Sequence, residues 1–305
     1  MINYIKHTEI DKKKWDECVQ ASLFGIIYFS SWYLDIVSPG WEAIVEDDYQ
    51  SIFPLCGRKK FGFNYLYQPY FTQQLGLISK NKVSTKGTLD TFLAQIPSKF
   101  KLVEINLNTE NHSDQIEKYT LHKKRTHHLS LNDSAENIRK KYSENLSRNL
   151  KKSIKTEIKI ESTSAFLPII ELFKKERGRT IETLKEKEYK TLICLIEEGL
   201  RKEQIEIYTA SSLVEKNIAG AIFLKSFHSY IFLFSAVGNI GKQSGAMSLI
   251  IDHFIEKHQL ENKLLDFEGS MDDQLARFYK SFGSQEIVYL QIKKNNLPPI
   301  IRRFK

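Results

Sequence analysis

Apolar positions along this chain follow two periods, and each change of period marks a new element. Short β-type runs come first, at residues 41–45 and 51–56, separated by the polar turn Glu46-Asp47-Asp48. A third run, 63–67, ends before Pro69. At 87–96 the period becomes helical, with Leu89, Phe92, Leu93 and Ile96 on one face. Residues 101–107 alternate as a half-buried strand should, and 125–131 read as a last strand before a break.

At Asp133 the pattern changes. Asp133 followed by Glu136 is a capping-box start signal. Ile138, Tyr142, Leu146, Leu150 and Ile154 then recur every fourth residue, which predicts one long helix. The domain boundary therefore falls near Leu131, with domains at 1–131 and 132–291. The second half reads strand 204–210, strand 218–224, strand 229–236, helix 244–258, strand 263–267, helix 271–281 and strand 286–292. Three meandering strands followed by alternating helix and strand describe an α/β fold with mixed (α+β) sheets. The first half repeats that order loosely, as an internal duplication would.

Composition narrows the class. Of 305 residues 41% are hydrophobic, including 19 Phe and 14 Tyr, so sizeable cores can form. No stretch approaches the ~18 apolar residues of a membrane span. The N-terminal segment lacks a signal-peptide core, and Cys18, Cys56 and Cys194 show neither disulfide nor metal-ligand spacing. Each cysteine is expected to be a small buried hydrophobe, and the compartment to be the cytoplasm. The net charge of +8 suits a phosphate-bearing partner, a nucleic acid or an anionic surface without choosing among them.

Three constellations could carry chemistry. In the first, an apolar strand runs through a Gly-containing loop straight into an amphipathic helix, with Lys242, Gly245, Ala246 and Met247 at the junction. Free N–H groups at such a junction would hold a pyrophosphate or polarise a carbonyl, and the plain alternative is an ordinary strand-to-helix turn. In the second, Asp266 and Glu268 alternate with Phe267 at a strand end, and a helix follows carrying Tyr279 and Lys280. One carboxylate could act as general base and Tyr279 as general acid; a solvated strand end reads equally well. On that helix Leu275, Phe278 and Phe282 are expected to face the core. In the third, Lys141, Asn145, Arg148, Lys152 and Lys155 line the face opposite the Ile/Leu stripe, where a polyanion could lie unless the charges are simply solvated. His127 and His128 point to opposite faces of a strand and do not make a metal site.

The run Thr126-His127-His128-Leu129-Ser130-Leu131-Asn132, then Leu146 through Lys155, resembles the opening of the second domain of FemABX-type peptidyltransferases. Leu172-Phe173, Glu176-Arg177-Gly178, Tyr189 and Phe278-Tyr279-Lys280-Ser281-Phe282-Gly283 continue the match in order. It is similar as well to the related GNAT acetyltransferases. The resemblance implies two tandem GNAT-like domains, with the tail 292–305 returning to the first. It also implies transfer of an activated acyl group, classically aminoacyl from tRNA, to an amine on a cell-wall precursor. By that resemblance Lys280 matches the basic residue that neutralises charge near the reacting carbonyl. Lys185 and Tyr189 match an Arg/Tyr pair that grips a nucleotide-linked muropeptide. Departures are visible too: Leu34, Asp35 and Ile36 follow Trp32 where the family has a lysine, and Phe234 replaces a tyrosine. The acyl-CoA loop pattern survives only as Lys242-Gln243-Ser244-Gly245-Ala246-Met247.

The resulting expectation is a FemABX-like acyltransferase, with no tightly bound cofactor or metal and with acyl-CoA or aminoacyl-tRNA as co-substrate. Its acceptor would be a small-molecule or glycan-linked amine. The alternatives are a non-catalytic GNAT-fold module binding RNA or an anionic glycan through the basic helix, and an acyl-CoA N-acetyltransferase acting on a sugar amine.

Overall fold

A computed structural model describes residues 1–60, 62–80, 86–154, 156–178 and 184–298. The chain divides into two compact units, Met1–Arg125 with Val288–Lys305, and Thr126–Ile287. No described helix is long and apolar enough to cross a membrane.

The first unit holds β1 (Ile2–Ile5), α1 (Lys12–Ala21), α2 (Ser31–Val37), β2 (Glu42–Glu46), β3 (Ser51–Leu55), β4 (Gly57–Lys60), β5 (Phe63–Tyr67), β6 (Ile78–Ser79), α3 (Lys86–Ala94) and β7 (Phe100–Asn106). Strands β1, β2, β3 and β6 form one antiparallel sheet. In the other, β4 pairs β5 antiparallel and β5 pairs β7 parallel. Helix α1 went unread in the sequence because only Trp15, Cys18 and Val19 of its ten residues are buried. Asp11 caps it, accepting from the Lys13 and Lys14 amides. Cys18 and Cys56 are buried as expected, and burial pushes their thiols up to about 11 and about 12. Cys194 departs from that expectation and is exposed.

Strand β8 (Thr120–Ser130) carries the chain across the boundary. The second unit continues with α4 (Ala135–Arg139), α5 (Glu144–Ile154), β9 (Lys159–Thr163), α6 (Leu167–Glu176), α7 (Glu186–Arg201), β10 (Ile205–Ser211), β11 (Ala219–Lys225), β12 (Ser229–Val237), α8 (Asn239–Ser244), α9 (Ala246–Lys257), β13 (Leu264–Asp266) and α10 (Asp273–Lys280). Strand β14 (Gln285–Asn295) then straddles the boundary again, and its residues Gln291–Asn295 pair with β7. Residues 299–305 of the expected tail lie outside the described residues.

Two local expectations are corrected here. The helix after the break is capped by Ser134, whose side chain accepts from the Asn137 amide, so the start lies one residue later than Asp133. Nor is that helix continuous. The Lys140 amide closes α4 on Glu136 and Ile138, and the Ser143 amide donates to the Ser281 carbonyl before α5 begins. The stripe survives the break: Ile138, Tyr142, Leu146 and Leu150 are buried, whereas Ile154 is 70% exposed.

Within the second unit the sheet runs β9-β10-β11-β12-β13, with β13 also paired antiparallel to β8. Its core is aromatic, centred on Phe223 stacked on Phe254 at 3.8 Å. Helix α6 lies close on the sheet because Gly220 in β11 leaves room for Ile169: a Cβ there would stand 2.5 Å from the Ile169 side chain.

Candidate functional site

The site begins with a defect in the sheet. Strands β12 and β13 pair in parallel only over Ser229–Leu264, Tyr230–Leu265 and Ile231–Asp266. There β13 ends, while β12 runs on to Val237. On that side the backbone groups of residues 232–237 lose their strand neighbour. Toward β11 the register also slips: Ile222 faces Phe234 and Phe223 faces Phe232, leaving Leu233 as an extra, bulged residue. A buried strand edge of this kind needs partners for its donors and acceptors.

The opening is a cavity of about 290 Å³. Phe232, Ser235, Ala236 and Val237 of β12 form one wall, and Phe173, Glu176 and Arg177 at the end of α6 another. Gly241 and Lys242 of α8, with Gly245, Met247 and Ser248 at the start of α9, lie across its end. Leu275, Phe278 and Tyr279 of α10 complete it. No side chain among the described residues caps α9, so its first amides and the positive end of its dipole are left at the cavity.

Of the sequence-derived junction residues, Lys242, Gly245 and Met247 line the cavity, whereas Ala246 is fully buried in the core. The expected Gly loop is largely the short helix α8. Gly245 ends it at φ +70°, a left-handed conformation, and its amide donates to the Lys242 carbonyl at 3.4 Å. A Cβ at Gly245 would stand 2.6 Å from Ser153 Oγ of α5. The glycine is thus demanded by backbone shape and helix packing, and a branched residue there would disturb the fold as well as any ligand.

Tyr279 lines the cavity, is 5% exposed and stacks on Phe267 at 4.8 Å. Burial, then the charge of Glu268, raises its phenol above the ordinary value. The face of α10 that enters the core is Ala276 and Tyr279, with Phe282 just beyond, while Leu275 and Phe278 face the cavity. The expected core face holds for Phe282, and Leu275 and Phe278 pack against the same core while lining the cavity; Ala276 and Tyr279 are the additions. Lys280 consequently is exposed in the last turn of α10 and is not part of the cavity wall.

The two carboxylates also part company. Asp266 is buried, accepts from Thr126 Oγ1 and the Glu268 amide, and sits 3.2 Å from His128 Nε2. Burial would raise its pKa, but His128 and these donors outweigh it and hold the carboxyl below its usual value. With its oxygens so engaged Asp266 is an anchor. Glu268 does not continue the strand alternation, because its φ is +52° and Gly269 follows at +54°. It turns beside Tyr279, half-buried, and desolvation pushes its carboxyl up to about 8. Behind the turn, His127 Nδ1 contacts Ser270 Oγ at 2.8 Å, and that hydroxyl donates to the Glu268 carbonyl.

The remaining sequence candidates lie elsewhere in this unit. Lys185 is exposed at the start of α7, its amide donating to Glu188. Tyr189 is 6% exposed, its hydroxyl has no hydrogen-bond partner among the described residues, and it lines a second, shallow pocket with Glu171, Lys174, Lys175 and Gly178. Lys141, Asn145 and Arg148 are exposed beside α5 and on it. Lys152 belongs to α5, but its side chain, like the whole of Lys155, lies outside the described residues. The α6 contribution of Phe173, Glu176 and Arg177 was missed as a wall. The signal was present in Gly220, a strand glycine that lets a helix approach.

The sequence matches no protein-family model and no curated protein. Solved structures do match. The crystal structure of FemX superposes with a TM-score of 0.67 at 10% identity, over 99% of each chain. The chain has the FemX fold. A conserved protein of unknown function from Bacteroides thetaiotaomicron follows at TM-score 0.64 and 11% identity, over 96% of this chain and 99% of that one. The C-terminal domain of a putative lysylphosphatidylglycerol synthetase from Agrobacterium fabrum reaches 0.55 at 6% identity, over 93% and 91%. The likeness is one of fold, and it extends over both units of the chain.

Proposed function

We propose that the protein is an acyltransferase whose second unit binds an activated acyl or aminoacyl donor in the β12–α9–α10 cavity and passes that group to an amine. The observation that carries this reading is the unpaired edge of β12 beyond Ile231, which meets the uncapped start of α9 in one cavity. Edge amides can polarise a donor carbonyl, and the helix start favours the negative charge that develops on its oxygen. The apolar wall of Phe173, Phe232, Met247 and Phe278 excludes water from the reacting ester or thioester.

The chemistry follows from Tyr279, which lines the cavity, and from Glu268, which lies outside the wall but whose charge acts on Tyr279. The acceptor amine attacks the carbonyl carbon, forming the C–N bond, and the bond to the leaving sulfur or oxygen breaks. Glu268, whose raised pKa makes it a base suited to neutral pH, takes a proton from the amine. Tyr279 donates a proton to the leaving group and recovers one from Glu268, so the net transfer is from amine to leaving group. Lys280 has no part in this step at its exposed position. The acceptor's anionic portion would sit in the Tyr189 pocket, where a buried hydroxyl with no partner among the described residues, Lys175, and Lys174 once released from Glu171 offer donors. The donor class spans acyl-CoA and aminoacyl-tRNA, and the FemX fold is compatible with either.

Incubating the protein with labelled acetyl-CoA or aminoacyl-tRNA and a panel of amino sugars and peptidyl amines tests this. Transfer by the wild type, reduced about 10²–10³-fold in Tyr279→Phe, is the expected result. Wild-type turnover in Tyr279→Phe would remove the acid role, and a folded protein that transfers nothing from either donor would overturn the reading.

A further inference from the structure

An ion pair crosses the donor cavity. Lys242 of α8 and Glu176, the last residue of α6, both line it, and Lys242 Nζ donates to Glu176 Oε2 at 3.2 Å. The Glu176 side chain is only 15% exposed and that of Lys242 50%. Arg177, beside Glu176, lines the same cavity. Two cations there suit a phosphate-bearing donor, yet the Glu176 carboxylate repels one and occupies the lysine such a donor would use.

We propose that the Glu176–Lys242 pair is a latch on the donor cavity, which a phosphate opens by taking Lys242 from Glu176. An uncharged thioester offers Lys242 nothing and leaves the pair closed, so the latch also selects donors that carry phosphate. Because the pair is partly exposed its strength is modest, and the exchange is within reach of a single phosphate contact. The inference rests on the cavity being the donor site.

Calorimetric titration of the full chain with three probes tests it: acetyl-CoA, an aminoacylated CCA trinucleotide, and S-acetylpantetheine, which lacks phosphate. Glu176→Gln is expected to tighten at least one phosphate-bearing probe by about fivefold and leave S-acetylpantetheine unchanged. Lys242→Met is expected to weaken the same phosphate-bearing probe. Glu176→Asp, which keeps the charge, serves as a second variant and should stay near wild type; circular dichroism confirms that each variant is folded. Equal or weaker phosphate-probe binding by Glu176→Gln, with the wild type still binding, overturns the latch and spares the donor site. Tightening of S-acetylpantetheine to the same degree also overturns it, since Glu176 would then act by bulk alone. Binding of no probe by either protein overturns the donor site and the latch together.

Discussion

Glu268 shows how one backbone angle redistributes chemistry among neighbouring residues. Strand alternation places Asp266 and Glu268 on a common face, and that inference fails because the chain leaves the strand at Asp266 and enters a left-handed conformation at Glu268. Nothing in the composition of Leu265-Asp266-Phe267-Glu268 signals the turn; the following Gly269 is the only trace of it. The consequence is measurable. Glu268 carries a folded-state pKa of about 8 against an ordinary 4.5, so the native protein holds a proton that the unfolded chain releases between those values. Stability from this residue is full below about pH 4.5 and falls as pH rises toward 8. Thermal midpoints measured across that window should decline in the wild type and decline less in Glu268→Gln. Acyl transfer should run the other way, rising as pH passes through about 8, because the base must be ionised. A Glu268→Gln protein with the wild-type pH profile in both assays would show that this carboxyl titrates unperturbed.

Helices and strands were more legible than the walls they build. Strands β10, β11 and β12 read as near-continuous apolar runs because both of their faces are largely buried, and helix α9 follows from its period because one face enters the core. Where two elements must approach unusually closely, the sequence holds one residue and no pattern. Gly220 admits Ile169 of α6, and through α6 it sets the position of Phe173 and Glu176 at the cavity. Gly220→Ala places a methyl group 2.5 Å from Ile169 and should cost about 1–3 kcal/mol of stability by overpacking. Donor affinity should fall as well, since α6 must move. Adding Ile169→Ala removes the clash, so in a denaturant-melt cycle the double variant should be less destabilised than the two single losses added together. Strict additivity would show that α6 does not rest on Gly220.

At the scale of the whole chain, the order of elements carried the fold when sequence identity could not. FemX superposes over 99% of the chain at 10% identity. Short motifs such as Phe278-Tyr279-Lys280 were informative by their order, and least reliable when roles were assigned to single residues. Lys280 illustrates this: its motif placed α10 correctly, yet a helix that buries Tyr279 must turn the next residue about 100° away. The same long-range logic makes the first unit discontinuous in sequence, since its sheet is completed by residues about 190 positions away. Ile292 is fully buried and Leu290 nearly so, both in the core that contains Ile105 and Leu107. Ending the chain after Ile287 would strip β7 of its antiparallel partner over Leu102–Asn106 and remove both side chains. Each such deletion typically costs about 2–5 kcal/mol, set against a total stability of about 5–15. Hydrogen exchange on the truncated protein should therefore show β5 and β7 losing protection, while β10–β12, whose partners all lie within residues 126–287, retain it. Full protection of β7 after truncation would mean that the C-terminal strand is dispensable to the first unit.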